Sequence, residues 1–467
     1  MICDARDARI KRRDWWIVLV ILVTGLALRA AVSPSYGYLG IEADLIEQKQ
    51  AMHRSITLGF HELYTPNDVN DPALAGGEWT GEYFINYPPI ITYLRYLPGL
   101  VYRALEPESF ELWNSENNFY VMRSTDLMSR LANSRGFTVA VKFPGILFDC
   151  LLAAGIFLFL APRAGSVTAL AATAAYSFNP GLILNSAHWG QPDAVWALPL
   201  VLCLLLMNRG RVEFAWIAYT FAALTKPQAG AYVFFVLFLG LSRAPNRRGI
   251  KGAALSIGFA CLVFLPFLLY GTFIETIEAI LYSVLGGEPF VSCNANNFWW
   301  LLTGGRGYEV SDLTPILGPL SPRNLGLMAV LGVNGIVMWK LRKPGENAGV
   351  LFLAASLVGM TFFCFNTELH ENHVMAIIPL SFLAISADRR CWVPAVITSI
   401  TLMMNIVLFD PALHIPVSRA IGFALPIQSL SIGVSALNLI AWGMLAALFW
   451  LHTRNDHVAC EADLQQS

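Results

Sequence analysis

Long apolar runs separated by short polar connections set the pattern of this chain. They lie near 15–28, 143–161, 167–187, 192–207, 211–225, 227–242, 252–270, 324–341, 348–365, 373–387, 391–409 and 430–452. Most of them reach or approach the ~20 apolar residues that a helix needs to cross a hydrocarbon core. The pattern predicts an all-α polytopic membrane protein of about twelve transmembrane helices. A large polar interval, 33–142, separates the first run from the second. Inside it, 87–105 is half apolar but carries Pro88, Pro89, Arg95, Pro98 and Arg103, which suits a helix lying in the membrane interface rather than crossing it.

The positions of Lys and Arg orient these spans. Basic residues fall on alternate connections: Arg209 and Arg211; Arg243, Arg247, Arg248 and Lys251; Lys340, Arg342 and Lys343; Arg389 and Arg390. The positive-inside rule makes those connections cytoplasmic. Parity holds only if 87–105 does not cross, and it then places 33–142, 188–193, 225–228, 271–323 and 368–373 together on the outer side. At the N-terminus, Arg6, Arg9, Lys11, Arg12 and Arg13 precede the first run. A signal peptide would share that pattern, but Arg29 spoils a cleavage site, so an uncleaved anchor is expected.

Composition agrees with the pattern and narrows the partners. The chain is 56% hydrophobic and 13% charged, with a mean hydropathy of +0.54, against roughly 25% charged for soluble domains. A net charge of -1 gives no reason to expect nucleic acid. The eight cysteines are scattered, and Cys150, Cys203 and Cys261 fall inside apolar runs. No disulfide or metal spacing emerges.

The polar stretches assigned to the outer side hold the candidate chemistry. The first is NPGLILNSAHWGQPDAVW at 179–196, which brings His188, Trp189, Gln191 and Asp193 into six residues between two apolar runs. An interhelical turn with Trp189 as an interfacial anchor would have the same composition. In the first outer interval, Glu42 and Asp44 stand shortly after the first span. A carboxylate near apolar walls can act as a base, and acidic residues also favour helix starts. Lys226, followed by Pro227 and Gln228, ends an apolar run. It is either paired with an anion such as a lipid phosphate or snorkels to water. Asn294 and Asn297 lie in SCNANNFWWLL at 292–302, amides beside aromatics as in sugar sites and also in membrane belts. His370, Glu371 and His373 lie in TELHENHV at 367–374, where no HExxH pattern or third ligand supports a metal.

In their order along the chain, Tyr87-Pro88-Pro89, FNPGLILNSAHWGQPDAVW, LTKPQ, NANNFWW and LHENH resemble the GT-C membrane glycosyltransferases. The branch they resemble holds the dolichyl-phosphate-glucose-dependent glucosyltransferases of N-glycan assembly and their bacterial relatives. The resemblance runs from about residue 40 to 380. It implies a GT-C fold, glycan biosynthesis, and Asp44 as catalytic base. It also implies substrate contacts at Tyr87, His188, Gln191, Asp193, Lys226, Gln228, Asn294, Asn297, His370 and Glu371, with no metal and no cofactor. Asn86 stands where relatives commonly have Asp, and Asn372 where they have a cation.

On that resemblance the chain divides into a cytoplasmic N-terminus (1–14), a GT-C-like transmembrane module (15–270, with outer loop 33–142), an outer loop (271–323), a C-terminal transmembrane module (324–452) and a cytoplasmic tail (453–467). The expected partners are a polyprenyl-phosphate sugar, membrane lipids, and a glycan, lipid-linked glycan or protein acceptor. The expected activity is inverting hexosyl transfer, glucose or mannose, on the outer or lumenal face. A transporter or flippase of lipid-linked sugars is the rival reading, as is a non-catalytic assembly component. The chain shows no two-fold internal repeat, and its polar residues cluster at span ends rather than the midplane. Asp149, inside the second span, is the exception.

Overall fold

In a computed structural model of the chain, the described residues are 10–35, 42–64, 87–111, 134–243, 247–285, 289–342 and 347–465. They form helices and connecting loops, with two isolated antiparallel bridges, Phe290 with Ser311 and Leu317 with Leu320. The helices are α1 Arg12–Val32, α2 Glu42–Thr57, α3 Ile90–Leu105, α4 Pro107–Glu111, α5 Arg135–Ala164, α6 Ser166–Ser177, α7 Pro180–Ile183, α8 Asp193–Asn208, α9 Val212–Ala223, α10 Val233–Arg243, α11 Arg247–Tyr270, α12 Phe273–Leu285, α13 Phe298–Leu302, α14 Pro322–Lys340, α15 Ala348–Phe365, α16 Ile377–Ala384, α17 Trp392–Phe409, α18 Pro411–Ile421 and α19 Ile427–Gln465.

Each expected apolar run contains helix. Among the described residues, six helices are long and apolar enough to cross a membrane alone, and one bent pair makes a seventh. Of the other expected spans, α8 and α9 are apolar but shorter, and α14 has 19 residues but is not among the six. The chain is thus a polytopic all-α membrane protein.

Burial sorts these helices from the centre outward. α15 is buried nearly all round, from Ala348 to Cys364, as expected of an apolar helix with no polar face at the core of a bundle. α1 is peripheral, with Trp15, Trp16, Val20, Val23 and Leu26 exposed. Its inner face is fixed by a buried ion pair, Arg29 Nη2 to Asp149 Oδ2 at 2.7 Å. Tyr176 donates to Asp149 Oδ1 at 2.7 Å and Ser186 to Oδ2 at 3.0 Å. Asp149 therefore ties α1, α5, α6 and the 184–189 turn together.

α3 turns a mostly apolar face outward, with Arg103 near its end paired to Glu111 at 3.1 Å. It buries Ile90, Ile91, Arg95, Gly99 and Tyr102 and exposes Leu97, Val101 and Leu105, the distribution of a helix between protein and lipid. Gly99 allows the close crossing with α2, since a Cβ there would lie 2.6 Å from Ile56 Cδ1 and 2.7 Å from Met52 Cγ.

The expected span at 167–187 is not one rod. It breaks after Ser177 and bends by 45°. Pro180 occupies the first turn of α7 and the Asn179 side chain accepts from Gly181 N at 2.9 Å and Leu182 N at 3.3 Å. These features start a new helix at the break. That helix widens into a π-turn, Leu184–Trp189, ended by Gly190 at φ 85°. The positive φ and the 2.9 Å approach of Lys142 Cγ to a Cβ at this position both require glycine.

Candidate functional site

The site is assembled from α2, the segment after the π-turn, and the connection following α9. Asp44 lies in the first turns of α2. Its Oδ2 accepts from Gln191 Nε2 at 2.9 Å and from Trp189 Nε1 at 3.1 Å. The π-turn and Gly190 deliver both donors to one carboxylate oxygen, although neighbouring helical positions point apart. Gln191 then joins the carboxylate to a cation, because its Oε1 accepts from Lys226 Nζ at 3.2 Å.

Lys226 is fully buried and does not snorkel. Its Nζ lies 2.7 Å from Asp193 Oδ1 and 5.5 Å from the Tyr87 ring centroid. Asp193 also accepts from Trp196 Nε1 at 3.3 Å, Asn185 Nδ2 at 3.1 Å and Asn372 Nδ2 at 2.9 Å. Asn372 is thus one of the donors that hold Asp193. Pro227 begins a short 3-10 turn whose Ala229 N bonds back to Lys226 O at 3.2 Å, which fixes the lysine at the helix end.

Beside this chain of contacts, the Gln228 amide nitrogen lies 2.7 Å from His373 Nε2, and His373 Nδ1 accepts from His370 N at 3.2 Å. His370 Nδ1 is 3.8 Å from Glu371 Oε2, with Glu371 buried. Gln228 and the 370–373 turn therefore meet, as their shared sidedness in the sequence implied. Among the described residues no group of three or more His, Cys, Asp or Glu could hold a metal ion.

Other expected contacts fall elsewhere. The His188 ring faces Asp410, with Nε2 2.8 Å from Oδ2, and its Nδ1 is 3.3 Å from Ser35 Oγ. It braces the exit of α1 and the start of α18 to the π-turn. Asn297 caps α13, its Oδ1 accepting from Trp300 N at 3.0 Å. Asn294 adopts φ 63°, an excursion that asparagine tolerates, at a loop whose Cys293 N bonds to Leu369 O at 2.9 Å. The 292–302 loop thus packs on the LHENH stretch. Asn86 lies outside the described residues.

Several groups near the site carried no signal as isolated residues. Lys142 Nζ donates to Ser33 O at 3.2 Å, Ser35 O at 2.8 Å and His188 O at 2.6 Å, knitting the exit of α1 to the π-turn. Arg95 donates to Gln48 Oε1 at 2.6 Å and Val141 O at 3.2 Å. Lys49 is buried, and that burial, with Lys142 nearby, pulls its ammonium down to about 7. Arg95, Lys49 and Lys142 are thus all buried on and around α2, the helix that carries Asp44. A carboxylate held one amide from a lysine, as Asp44 is from Lys226 through Gln191, can accept a proton and steady an anion.

No family model and no curated protein matches the chain. A solved structure similar to it is that of ArnT from Cupriavidus metallidurans bound to undecaprenyl phosphate, at 14% identity and a TM-score of 0.48, over 95% of this chain and 78% of that one. A likeness of that size carries no functional argument.

Proposed function

We propose that the chain is a GT-C-type glycosyltransferase that moves a hexose, glucose or mannose, from a polyprenyl-phosphate donor to an acceptor on the outer or lumenal face of the membrane. The observation that carries this reading is the chain of contacts from Asp44 through Gln191 to Lys226. It puts a proton acceptor and a cation one amide apart at the end of membrane helices.

The chemistry asks for those two groups. A sugar on a polyprenyl phosphate already has a good leaving group, so what remains is a base for the acceptor hydroxyl and positive charge for the departing phosphate. Asp44 is the base. Gln191 and Trp189 fix its carboxylate plane through Oδ2. Lys226 meets the phosphate: two of its three N–H groups go to Asp193 and Gln191, and the third is the one the donor engages. Asp193 is the ion-pair partner of the buried Lys226 at 2.7 Å. A single displacement of this kind inverts the anomeric carbon, as in single-step glycosidases. Tyr87, Gln228, His370 and Glu371 would line the sugar, and no cofactor is needed.

The test is turnover by purified protein against a panel of polyprenyl-phosphate sugars, with and without EDTA. Transfer from one or more hexosyl donors, unaffected by EDTA, is the expected result. Movement of intact lipid-linked sugar across vesicles without glycosidic-bond cleavage would instead make the chain a flippase.

A further inference from the structure

A second charged cavity lies at the other ends of the helices that carry Asp193 and Lys226. Asp193 starts α8 and Lys226 follows α9, whereas this cavity is formed by the α8–α9 connection and the first turns of α11. The two places are about 24 Å apart along α8, from its sixteen residues and the rise of an α-helix. The cavity has a volume of about 440 Å³ and is lined by Arg209, Arg211, Arg248 and Lys251 with Glu213, Phe214 and Leu255.

Three features distinguish it from an ordinary basic connection. First, the other basic connections have internal partners: Arg390 is paired with Asp388 at 2.7 Å, Lys340 sits 3.9 Å from the Trp450 ring centroid, and Arg342 donates to Trp339 O at 2.8 Å. Among the described residues, Arg209, Arg211, Arg248 and Lys251 make no ion pair, yet they converge on one cavity that holds a single carboxylate, Glu213. Second, Arg248 and Lys251 sit at the N-terminal end of α11, where the helix dipole disfavours cations and favours an anion. An anion there offsets both the dipole and the mutual repulsion of the four cations. Third, the cavity borders on lipid-facing surface, since Phe214 is 55% and Leu255 39% exposed and Ile250 and Ile257 of the same helix are exposed too. A free phosphate would use the cations and leave Phe214 and Leu255 bare.

We propose that this cavity is a binding site for the phosphodiester headgroup of an anionic phospholipid, with acyl chains running down Phe214 and Leu255. The lipid clamps the α8–α9 turn to α11 on the membrane face opposite the Asp44–Lys226 site. Nothing in it depends on what that site does. Basic pockets between membrane helices hold anionic headgroups by these forces.

The experiment titrates the full-length, delipidated protein in neutral detergent with phosphatidylglycerol, with phosphatidylcholine of the same acyl chains, and with inorganic phosphate, reading thermal unfolding. Phosphatidylglycerol should raise the unfolding temperature saturably, and the other two should not. Arg209→Gln/Arg248→Gln/Lys251→Gln should weaken the phosphatidylglycerol midpoint by about tenfold or more. Arg12→Gln/Arg389→Gln, which removes basic charge elsewhere, should leave it in place. Glu213→Gln, which removes the one negative wall group and is independent of the triple variant's folding, should tighten it. An equal response to phosphate alone would assign the cavity to a free anion and overturn the lipid reading. So would an unshifted wild-type protein, or a midpoint that neither the triple variant nor Glu213→Gln moves.

Discussion

Lys226 Nζ and Asp193 Oδ1 lie 2.7 Å apart with both side chains buried. The pair comes from opposite ends of neighbouring helices, so it fixes the end of α9 against the start of α8 at the depth where Gln191 reaches Asp44. Desolvating two charges is offset only while each keeps the other and their remaining hydrogen bonds.

Removing one member should therefore cost more than removing both. Lys226→Met leaves Asp193 as a buried uncompensated charge and should lower unfolding stability by about 3 to 5 kcal/mol. Lys226→Met with Asp193→Asn should cost at least ~1 kcal/mol less than the sum of the single changes. Denaturant melts of the four proteins measure this, and strict additivity would mean that the two groups are not coupled.

Asp44→Asn keeps size and polarity but takes no proton, so turnover should fall about 10² to 10⁴-fold with donor affinity nearly unchanged. Lys226→Ala should weaken donor affinity and turnover together, because it removes a contact present in both ground and transition states. Glu42→Gln, two positions earlier, is the comparison. If Glu42→Gln abolishes transfer while Asp44→Asn does not, the base is misplaced by two residues.

His53 sits buried against the Phe110 ring, with centroids 4.6 Å apart, and burial lowers its imidazole to about 4 from 6.5. Between those values the unfolded chain binds a proton that the folded chain does not. Stability is therefore fullest above pH 6.5, falls as pH drops toward 4, and is not lowered further by this group below 4. The size is on the order of 3 kcal/mol. His53→Leu should flatten the fall of the unfolding temperature between pH 7 and 4.5, and an unchanged slope would show that His53 does not titrate there.

Sidedness can be read chemically. With a membrane-impermeant maleimide applied from outside, Tyr308→Cys and Leu313→Cys, both exposed, should label. Arg248→Cys and Arg342→Cys should not, because their connections carry the excess of Lys and Arg. Labelling of Arg248→Cys from outside, without Tyr308→Cys or Leu313→Cys, would invert the whole arrangement.

Which segments are helices was legible in the sequence, and so was the expectation that the polar stretches at 188–193, 225–228 and 368–373 share one end of the helices, where Lys226 meets Asp193 and Gln228 meets His373. A backbone in lipid must satisfy its own N–H and C=O groups, so helix placement is a local property of apolar runs such as 348–365. The break at Asn179 and Pro180 was also local, written in a cap and a proline, although 167–187 reads as one span. Asn297 likewise stands one residue ahead of FWWLL, the position of a helix cap. Partnership was not local. Lys226 finds Asp193 across a helix pair, His188 finds Asp410 across 222 positions, and Asp149 finds Arg29 across 120. A buried charge is stable only with a partner within a few ångströms, and chain spacing does not encode that distance. The sequence alone determined that the polar stretches stand at the ends of apolar runs. Tertiary structure decided that Asp44 and Lys226 share Gln191 and that His188 belongs to a brace.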